Sequence, residues 1–219
     1  FAFVNTKFGE IDARLEQGMA MLDAKIMAVD AKVTAVGAKV DFLCSRLQFV
    51  FESNFDTNGV LHYIGTQGGT RNYQNPHTSG DVVVSWSSIR DGTVDRFVQH
   101  RHANPVQSYT TAVANSWMQV DLGQNRTLRP TYYCLRTDKN TNYALRNWRL
   151  EGSNDGQTWT TLRNHANDKT LAEEAMSEAN WPVENCQAQY RWFRIFQTGD
   201  LAVRFGCASI ELYGDLEEL

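Results

Sequence analysis

Several residue types are missing from the first fifty residues of this 219-residue chain, and their absence divides the chain in two. All six Trp, all eight Tyr and all four Pro lie beyond residue 50. The six acidic and six basic residues of the first fifty cancel, so the net charge of −4 belongs to the remainder. This split excludes a single mixed domain. It predicts a helical rod followed by an aromatic, turn-rich domain that is large enough to bury its own core.

Cysteine is scarce, and no two cysteines have CxxC spacing. The chain contains Cys44, Cys134, Cys186 and Cys207. This pattern excludes a zinc ribbon and a disulfide-dense scaffold. We expect reduced thiols.

Long apolar runs and an excess of basic charge are also missing. No segment approaches 18 uncharged apolar residues, so we predict no membrane span. The pI near 5.7 argues against nucleic acid or an anionic membrane as the main partner. The chain begins at Phe1 without a signal sequence, and we expect a fragment or a processed product.

The apolar residues of the first segment follow a heptad pattern. Steps of three and four alternate through Met19, Leu22, Ile26, Val29, Val33, Val36, Val40, Leu43, Leu47 and Val50. A seam this long predicts a coiled coil, and Lys25 at g with Asp30 at e favours parallel strands. Because β-branched residues occupy both a and d, we predict a homotrimer, with a dimer as the alternative. An amphipathic helix that packs on the chain's own domain is the competing interpretation.

Beyond residue 58 the helical pattern gives way to short β-rich runs. Predicted strands cover 82–86, 117–122, 131–135, 148–152, 159–162, 190–196 and 208–213. Many short strands with few helices predict a β-sandwich or barrel, and Asp155-Gly156 predicts a hairpin turn. We expect Trp117, Trp148, Trp159 and Trp192 in the core, whereas the positions of Trp86 and Trp181 stay open.

Four ordered sequence blocks carry a resemblance to a known family. They are WMQVDLG at 117–123, LEGSNDGQTW at 150–159, YRWFR at 190–194 and IELYG at 210–214. In order and spacing they resemble the discoidin, or coagulation factor 5/8 type C, family from residue 58 to residue 214. The opening residues 58–66 most resemble the modules of intracellular HECT-type ubiquitin ligases and BTB proteins.

The resemblance implies a mainly β fold, an antiparallel jelly-roll β-sandwich of the galactose-binding-like type, preceded here by the α-helical coiled coil. We predict the coiled coil at 1–51, a junction at 52–58, the sandwich at 59–214 and an acidic tail at 215–219. Secreted members usually join the two ends of the domain by a disulfide, but no cysteine of this domain precedes Cys134. We therefore expect an intracellular, cytoplasmic protein, with a secreted or cell-surface location as the alternative.

The resemblance also places ligand binding on loops at one end of the sandwich, here 70–77, 89–109 and 139–143. These stretches are rich in planar donors and stackable rings, which suit a peptide, a glycan or an acidic surface. The candidate residues are Arg71, Tyr73, Arg90, Arg96, His100, Arg101, His102, Tyr109, Asn142 and Tyr143.

Motifs for catalysis and metal binding are missing from the chain. It has no Gly-x-Ser-x-Gly elbow, no His-Glu-x-x-His and no phosphate-binding loop, so we predict no enzyme and no catalytic residue. His100 and His102 have no further ligand at motif spacing and predict no metal site. Asp56–Gly59 predicts an Asx turn. The resemblance allows a structural calcium ion, and no other cofactor is expected.

Three functional hypotheses follow. The first is a non-enzymatic scaffold module that recognises a protein partner through its loops, with avidity from the trimeric coiled coil. The second is a trimeric lectin for galactose-type glycans. The third is a structural cap of a cytoskeletal or filamentous rod.

Overall fold

The computed structural model describes residues 2–44, 46–199 and 204–218, and the side chains of its first helix from residue 7 to residue 37. The chain divides into two compact units, 1–45 and 46–219. The first unit is a helix and the second is a sandwich of two antiparallel sheets. The prediction of a mainly β fold with an N-terminal helix is therefore confirmed.

Helix α1 (Ala2–Cys44) contains 43 residues and is about 65 Å long at about 1.5 Å per residue. Its heptad side chains form an exposed apolar stripe. Between 51% and 64% of the surface is exposed for Phe8, Ile11, Leu15, Met19, Leu22, Ile26, Val29, Val33 and Val36. The side chains of Val40 and Leu43, which the heptad pattern also includes, lie outside the described residues.

The helix ends earlier than the heptad pattern predicts. Strand β1 (Arg46–Phe49) follows and pairs with the last strand of the chain, which places Leu47 opposite Leu216. Leu47 and Phe49 pack against the sandwich core, so Leu47 does not continue the oligomerisation seam. The sandwich begins at residue 46 rather than at residue 59. The apolar residues of this segment fit the pattern of a strand as well as a heptad pattern. The sequence pattern alone therefore does not show where the helix ends and the strand begins.

In the described part of the chain, nine strands form the two sheets, in the orders β1-β9-β4-β7 and β2-β3-β8-β5-β6. The remaining strands are β2 (Val83–Trp86), β3 (Trp117–Asp121), β4 (Arg126–Arg136), β5 (Trp148–Ser153), β6 (Thr160–His165), β7 (Glu178–Pro182), β8 (Trp192–Gln197) and β9 (Ser209–Glu218). Each predicted run overlaps one strand, although β4 and β9 are longer than predicted, and β1 and β7 were not predicted. Residues 215–218 extend β9 instead of forming a tail, and Glu217 pairs with Arg46.

The core lies between the sheets, and strand alternation selects its members. In β8, Phe193 and Ile195 are fully buried, while Trp192 on the opposite face is partly exposed. Trp148 is the largest fully buried side chain.

The predicted core positions of three tryptophans are wrong. Trp117, Trp159 and Trp192 are only half-buried, on the outer side of the five-stranded sheet. Trp86 and Trp181 are buried instead. Large aromatic rings are buried only on average. Because successive side chains of a strand point to opposite faces of the sheet, the position of a ring along its strand decides whether it faces the core or the solvent.

Hydrogen bonds fix the segment between β1 and β2. The carboxylate of Asp56 accepts the backbone N–H of Ser53 and of Asn58, which is the predicted Asx turn. Helix α2 (Val60–Thr66) follows, and the carboxylate of buried Glu211 accepts the backbone N–H of Leu61 at 2.8 Å.

Candidate functional site

Four long connections emerge at the same end of the sandwich. They are 87–116, 137–147, 166–177 and 198–208, and residues 200–203 of the last lie outside the described residues. Antiparallel pairing brings them together: Trp148 at the start of β5 lies opposite Gln197 and His165 at the ends of β8 and β6. We name this part of the molecule the loop end. The predicted loops 89–109 and 139–143 belong to it.

A cleft of about 580 Å³ lies among three of these connections, within the size range of small-ligand sites. We name it the loop-end cleft. It is lined by residues 142–147, Glu173, residues 197–199 and Arg204.

A pair of tyrosines and one arginine form a group of side chains in mutual contact beside this cleft. The ring centroids of Tyr109 and Tyr143 are 5.1 Å apart. The guanidinium carbon of Arg204 lies 5.4 Å from the first centroid and 5.3 Å from the second, and its Nη1 donates to the hydroxyl of Tyr143. Because cation–π contact and a hydrogen bond both act on Arg204, its planar donor edge is held in place before a ligand arrives.

Asp138 joins the loops that lie behind these rings through hydrogen bonds. Its carboxylate accepts the backbone and side-chain N–H groups of Asn140 at 2.8 and 2.7 Å and the backbone N–H of Ser108 at 3.4 Å. Burial raises the pKa of Asp138. Gly206 is required beside it, since a Cβ there would lie 2.9 Å from Cβ of Tyr143.

Arg146 organises the opposite wall of the cleft. Its Nη1 donates to the carbonyl of Leu171 at 2.8 Å, and its Nη2 pairs with exposed Glu173 at 3.0 Å. The arginine thereby joins connection 166–177 to connection 137–147. Arg146 and Arg204 were not among the predicted site residues, because only the fold brings these distant segments together.

A buried hydrogen-bond chain anchors connection 166–177 to the core. Trp148 Nε1 donates to the hydroxyl of Tyr133, which contacts Nε2 of His165 at 2.6 Å. Nδ1 of His165 contacts the carboxylate of Asp168 at 2.6 Å, and Trp181 Nε1 donates to the same oxygen. Burial lowers the pKa of His165, so the neutral ring donates from Nδ1 and accepts at Nε2.

One residue that lines the cleft, Gln197, has a buried acceptor without a described partner. Gln197 is 6% exposed, and its side-chain oxygen has no hydrogen-bond partner among the described residues. A buried acceptor without a partner is costly, and a ligand N–H would satisfy it once a rotation of the side chain brings the oxygen to the cleft surface.

Tyr73 and His100 form a second, buried group. The backbone N–H of His100 donates to the hydroxyl of Tyr73 at 3.0 Å, and this hydroxyl donates to the carbonyl of Val98. The ring of His62 lies 4.5 Å from that of His100. Burial raises the pKa of Tyr73 and, with the positive groups nearby, lowers the pKa of His100 to about 4. These contacts give both residues a structural role.

The other predicted residues are dispersed. Arg71 pairs with Asp81 at 2.7 Å near the start of β2, away from the loop end. Arg96 donates to the carbonyl of Gln107, and His102 contacts Ser209. Arg90 and Arg101 are exposed. Of the ten predicted residues, Asn142 and Tyr143 line the loop-end cleft and Tyr109 lies behind it.

Within the described ranges, no group of three or more His, Cys, Asp or Glu side chains is placed to hold a metal ion. Cys134 and Cys207 are buried free thiols, and Cys186 is a partly exposed one.

Among the helices described, none has the length and apolar character needed to cross a membrane.

Comparison with known proteins identifies the sandwich. Residues 81–204, more than half of the chain, match the F5/8 type C domain. The chain belongs to the F5/8 type C domain family. The match to this discoidin domain begins at the residues before β2 and ends at Arg204 of the loop end.

Relatives of this discoidin domain occur within much larger proteins. A BTB/POZ domain-containing protein of Arabidopsis thaliana is 33% identical over 180 residues, which is 77% of this chain and 22% of the relative. The E3 ubiquitin-protein ligase Ufd4 of Drosophila melanogaster is 37% identical over 159 residues, or 69% of this chain and 6% of the relative. The chain therefore spans less than a quarter of either relative.

A solved structure supports the fold. The f-lectin (fucolectin) from Morone saxatilis serum superposes with a TM-score of 0.51 at 13% identity, covering 63% of this chain and 47% of that one.

Proposed function

We propose that this discoidin domain is a non-enzymatic module that recognises a protein partner through the loop-end cleft. The observation that carries the proposal is the cleft itself, in which Arg204 is held against two tyrosine rings beside the unpaired oxygen of Gln197. Tyrosine and arginine dominate the energetics of many protein interfaces. A partner's backbone N–H would satisfy Gln197, and its carboxylate would fit the planar edge of Arg204.

The relatives support a protein partner. One is named a BTB/POZ domain-containing protein and another an E3 ubiquitin-protein ligase. A recognition module attached to such proteins would bring a second protein to them, in an intracellular setting. Their activities belong to the whole proteins, of which this chain matches a small part.

We further propose that α1 assembles into a parallel homotrimer. The stripe from Phe8 to Val36 is apolar and more than half exposed, and β-branched residues at a and d favour three strands. Three domains on one coiled coil would convert a weak single-site affinity into a useful one wherever three ligands are within reach.

Affinity capture from lysate with the full chain tests the protein partner. We compare the wild type with Tyr143→Ala and Arg204→Gln, and we use Arg90→Gln as the charge-matched control because Arg90 is exposed outside the cleft. We expect a set of proteins that the wild type and the control retain and both cleft variants lose. Capture of the same proteins by all four chains would refute the proposal and favour the structural cap.

A glycan ligand is the second candidate. The ring of Tyr143, the amide of Asn142 and the guanidinium of Arg204 combine a stacking surface with polar groups, as sugar sites do. Binding to galactose-type glycans on an array, abolished by Tyr143→Ala, would favour the lectin.

A further inference from the structure

The outer face of the five-stranded sheet carries aromatic rings and arginines, where a solvated face is usually polar. The β-sheet register places Trp117, Phe196 and Arg149 in one row across β3, β8 and β5. Arg194 lies in the next row, and Trp159 covers it. We name these five residues the ring–arginine face. None of them lines the loop-end cleft.

Stacking holds the two arginines of this face in place. The guanidinium carbon of Arg194 lies 4.0 Å from the ring centroid of Trp159 and 4.9 Å from that of Phe196. The guanidinium carbon of Arg149 lies 5.0 Å from the same Phe196 centroid. A stacked guanidinium keeps its plane while its N–H edge still faces outward.

One carboxylate forms ion pairs with both arginines. Glu151, whose side chain is 4% exposed, accepts a hydrogen bond from Nε of Arg194 at 2.5 Å. Its contact with Nε of Arg149 at 3.0 Å is an ion pair without hydrogen-bond geometry. Within the described ranges, no acceptor bonds to the Nη groups of either arginine. Two guanidiniums against one carboxylate leave one positive charge on a chain whose net charge is −4. The neighbouring Arg191–Asp121 pair is neutral.

We propose that the ring–arginine face binds an acidic segment of a partner protein, in which carboxylates adjoin aromatic or apolar side chains. The carboxylates would take the free Nη edges of Arg149 and Arg194 in two-point contacts. The apolar side chains would pack on Trp117 and Phe196. Half-buried tryptophans and arginines that already hold one rotamer lose little entropy on binding, which suits them to an interface centre.

A pair of peptides tests this inference independently of the loop-end cleft. The probe is fluorescein-labelled Gly-Asp-Glu-Phe-Asp-Leu-Glu-Gly, and its amide counterpart is Gly-Asn-Gln-Phe-Asn-Leu-Gln-Gly. By fluorescence anisotropy with the full chain, we expect the acidic peptide to bind at least tenfold more tightly. In ¹⁵N-indole NMR spectra, the signals of Trp117 and Trp159 should move, and that of buried Trp148 should not.

Two variants separate recognition from folding. Arg194→Lys keeps a positive charge opposite Glu151 but loses the stacked planar edge, and Arg149→Gln keeps a polar side chain of similar reach. Each should weaken binding of the acidic peptide at least fivefold in a chain that still unfolds cooperatively, and Arg90→Gln should leave the binding unchanged.

Three results would overturn the inference. They are the absence of peptide binding, equal affinity for the two peptides, and movement of the Trp117 and Trp159 signals by a heparin hexasaccharide alone.

Discussion

At the scale of single residues, burial explains why His100 contributes a pH dependence to stability. The residue is 7% exposed, and its imidazole contacts the rings of His62 and Tyr73, whose centroids lie 4.5 and 5.6 Å away. Burial, together with the charges of His62, Arg101 and Arg136, lowers its pKa from 6.5 to about 4. The folded chain therefore resists a proton that the unfolded chain accepts, and stability present above pH 6.5 is lost as the pH falls towards 4.

Replacing His100 by Asn should remove this contribution. Between pH 7 and pH 4, we expect the wild type to lose about 3 kcal/mol more of its unfolding free energy than the variant. Urea titrations at several pH values measure the unfolding free energy of the wild type and of the variant. Glu211, whose pKa burial raises to about 8, has the opposite sign, because its contribution is lost as the pH rises from 4.5 towards 8. Glu211 is present in the wild type and in the variant, so its contribution cancels in the comparison. If both chains lost the same unfolding free energy between pH 7 and pH 4, the role given to His100 would be wrong.

The tryptophans show what residue identity alone could predict. Four of the six lie in strands that were predicted, because aromatic residues favour pleated surfaces: Trp86, Trp117, Trp148 and Trp192. Trp159 precedes β6, and Trp181 lies in β7, which was not predicted. Trp148 is in the core as expected, but Trp117 and Trp192 face outward because their neighbours Met118 and Phe193 face inward. The sequence blocks identified the strands without showing that the outer face of the sheet carries an exposed aromatic group.

At the scale of elements, the buried hydrogen bonds that link Trp148, Tyr133, His165 and Asp168 fix connection 166–177. This connection carries one wall of the loop-end cleft. Asp168→Asn should weaken this anchor. An amide oxygen accepts less strongly than a carboxylate from Trp181 and His165, and the amide N–H₂ would face Nδ1–H of His165. We expect a loss of about 2 kcal/mol of unfolding free energy and faster hydrogen exchange in residues 166–177.

Lys169→Gln is the matched control for this anchor, since Lys169 is exposed in the same connection. Its stability and exchange rates should equal those of the wild type. If Asp168→Asn also left both quantities unchanged, the anchoring role of the buried chain would be wrong.

Element boundaries were predicted less well than element types. The heptad pattern correctly indicates a long helix, but α1 ends at Cys44 and β1 begins at Arg46. Leu47 and Phe49 meet β9 from the far end of the chain, a contact that local periodicity does not contain. For the same reason, Arg146 and Arg204 could not be predicted as site residues.

At the scale of the whole molecule, the proposed assembly through α1 would set how many loop ends one particle presents. Light scattering coupled to size exclusion should give about 75 kDa, three times the 24.9 kDa of one chain. Val33→Asp with Val36→Asp buries like charges in the seam and should give a single chain. A wild-type mass of one chain would contradict the trimer, and a mass of two would replace it with a dimer.

Recognition through the loop-end cleft is the main proposal, and its most direct measurement is the binding of the chain in solution to a captured partner immobilised on a sensor. Biolayer interferometry compares the wild type, Tyr143→Ala, and the Val33→Asp, Val36→Asp variant. With a dense array of partner, we expect the monomeric variant to bind about 100-fold more weakly and Tyr143→Ala to lose binding while its mass stays that of the wild type. Wild-type affinity in Tyr143→Ala would show that recognition lies elsewhere on the molecule.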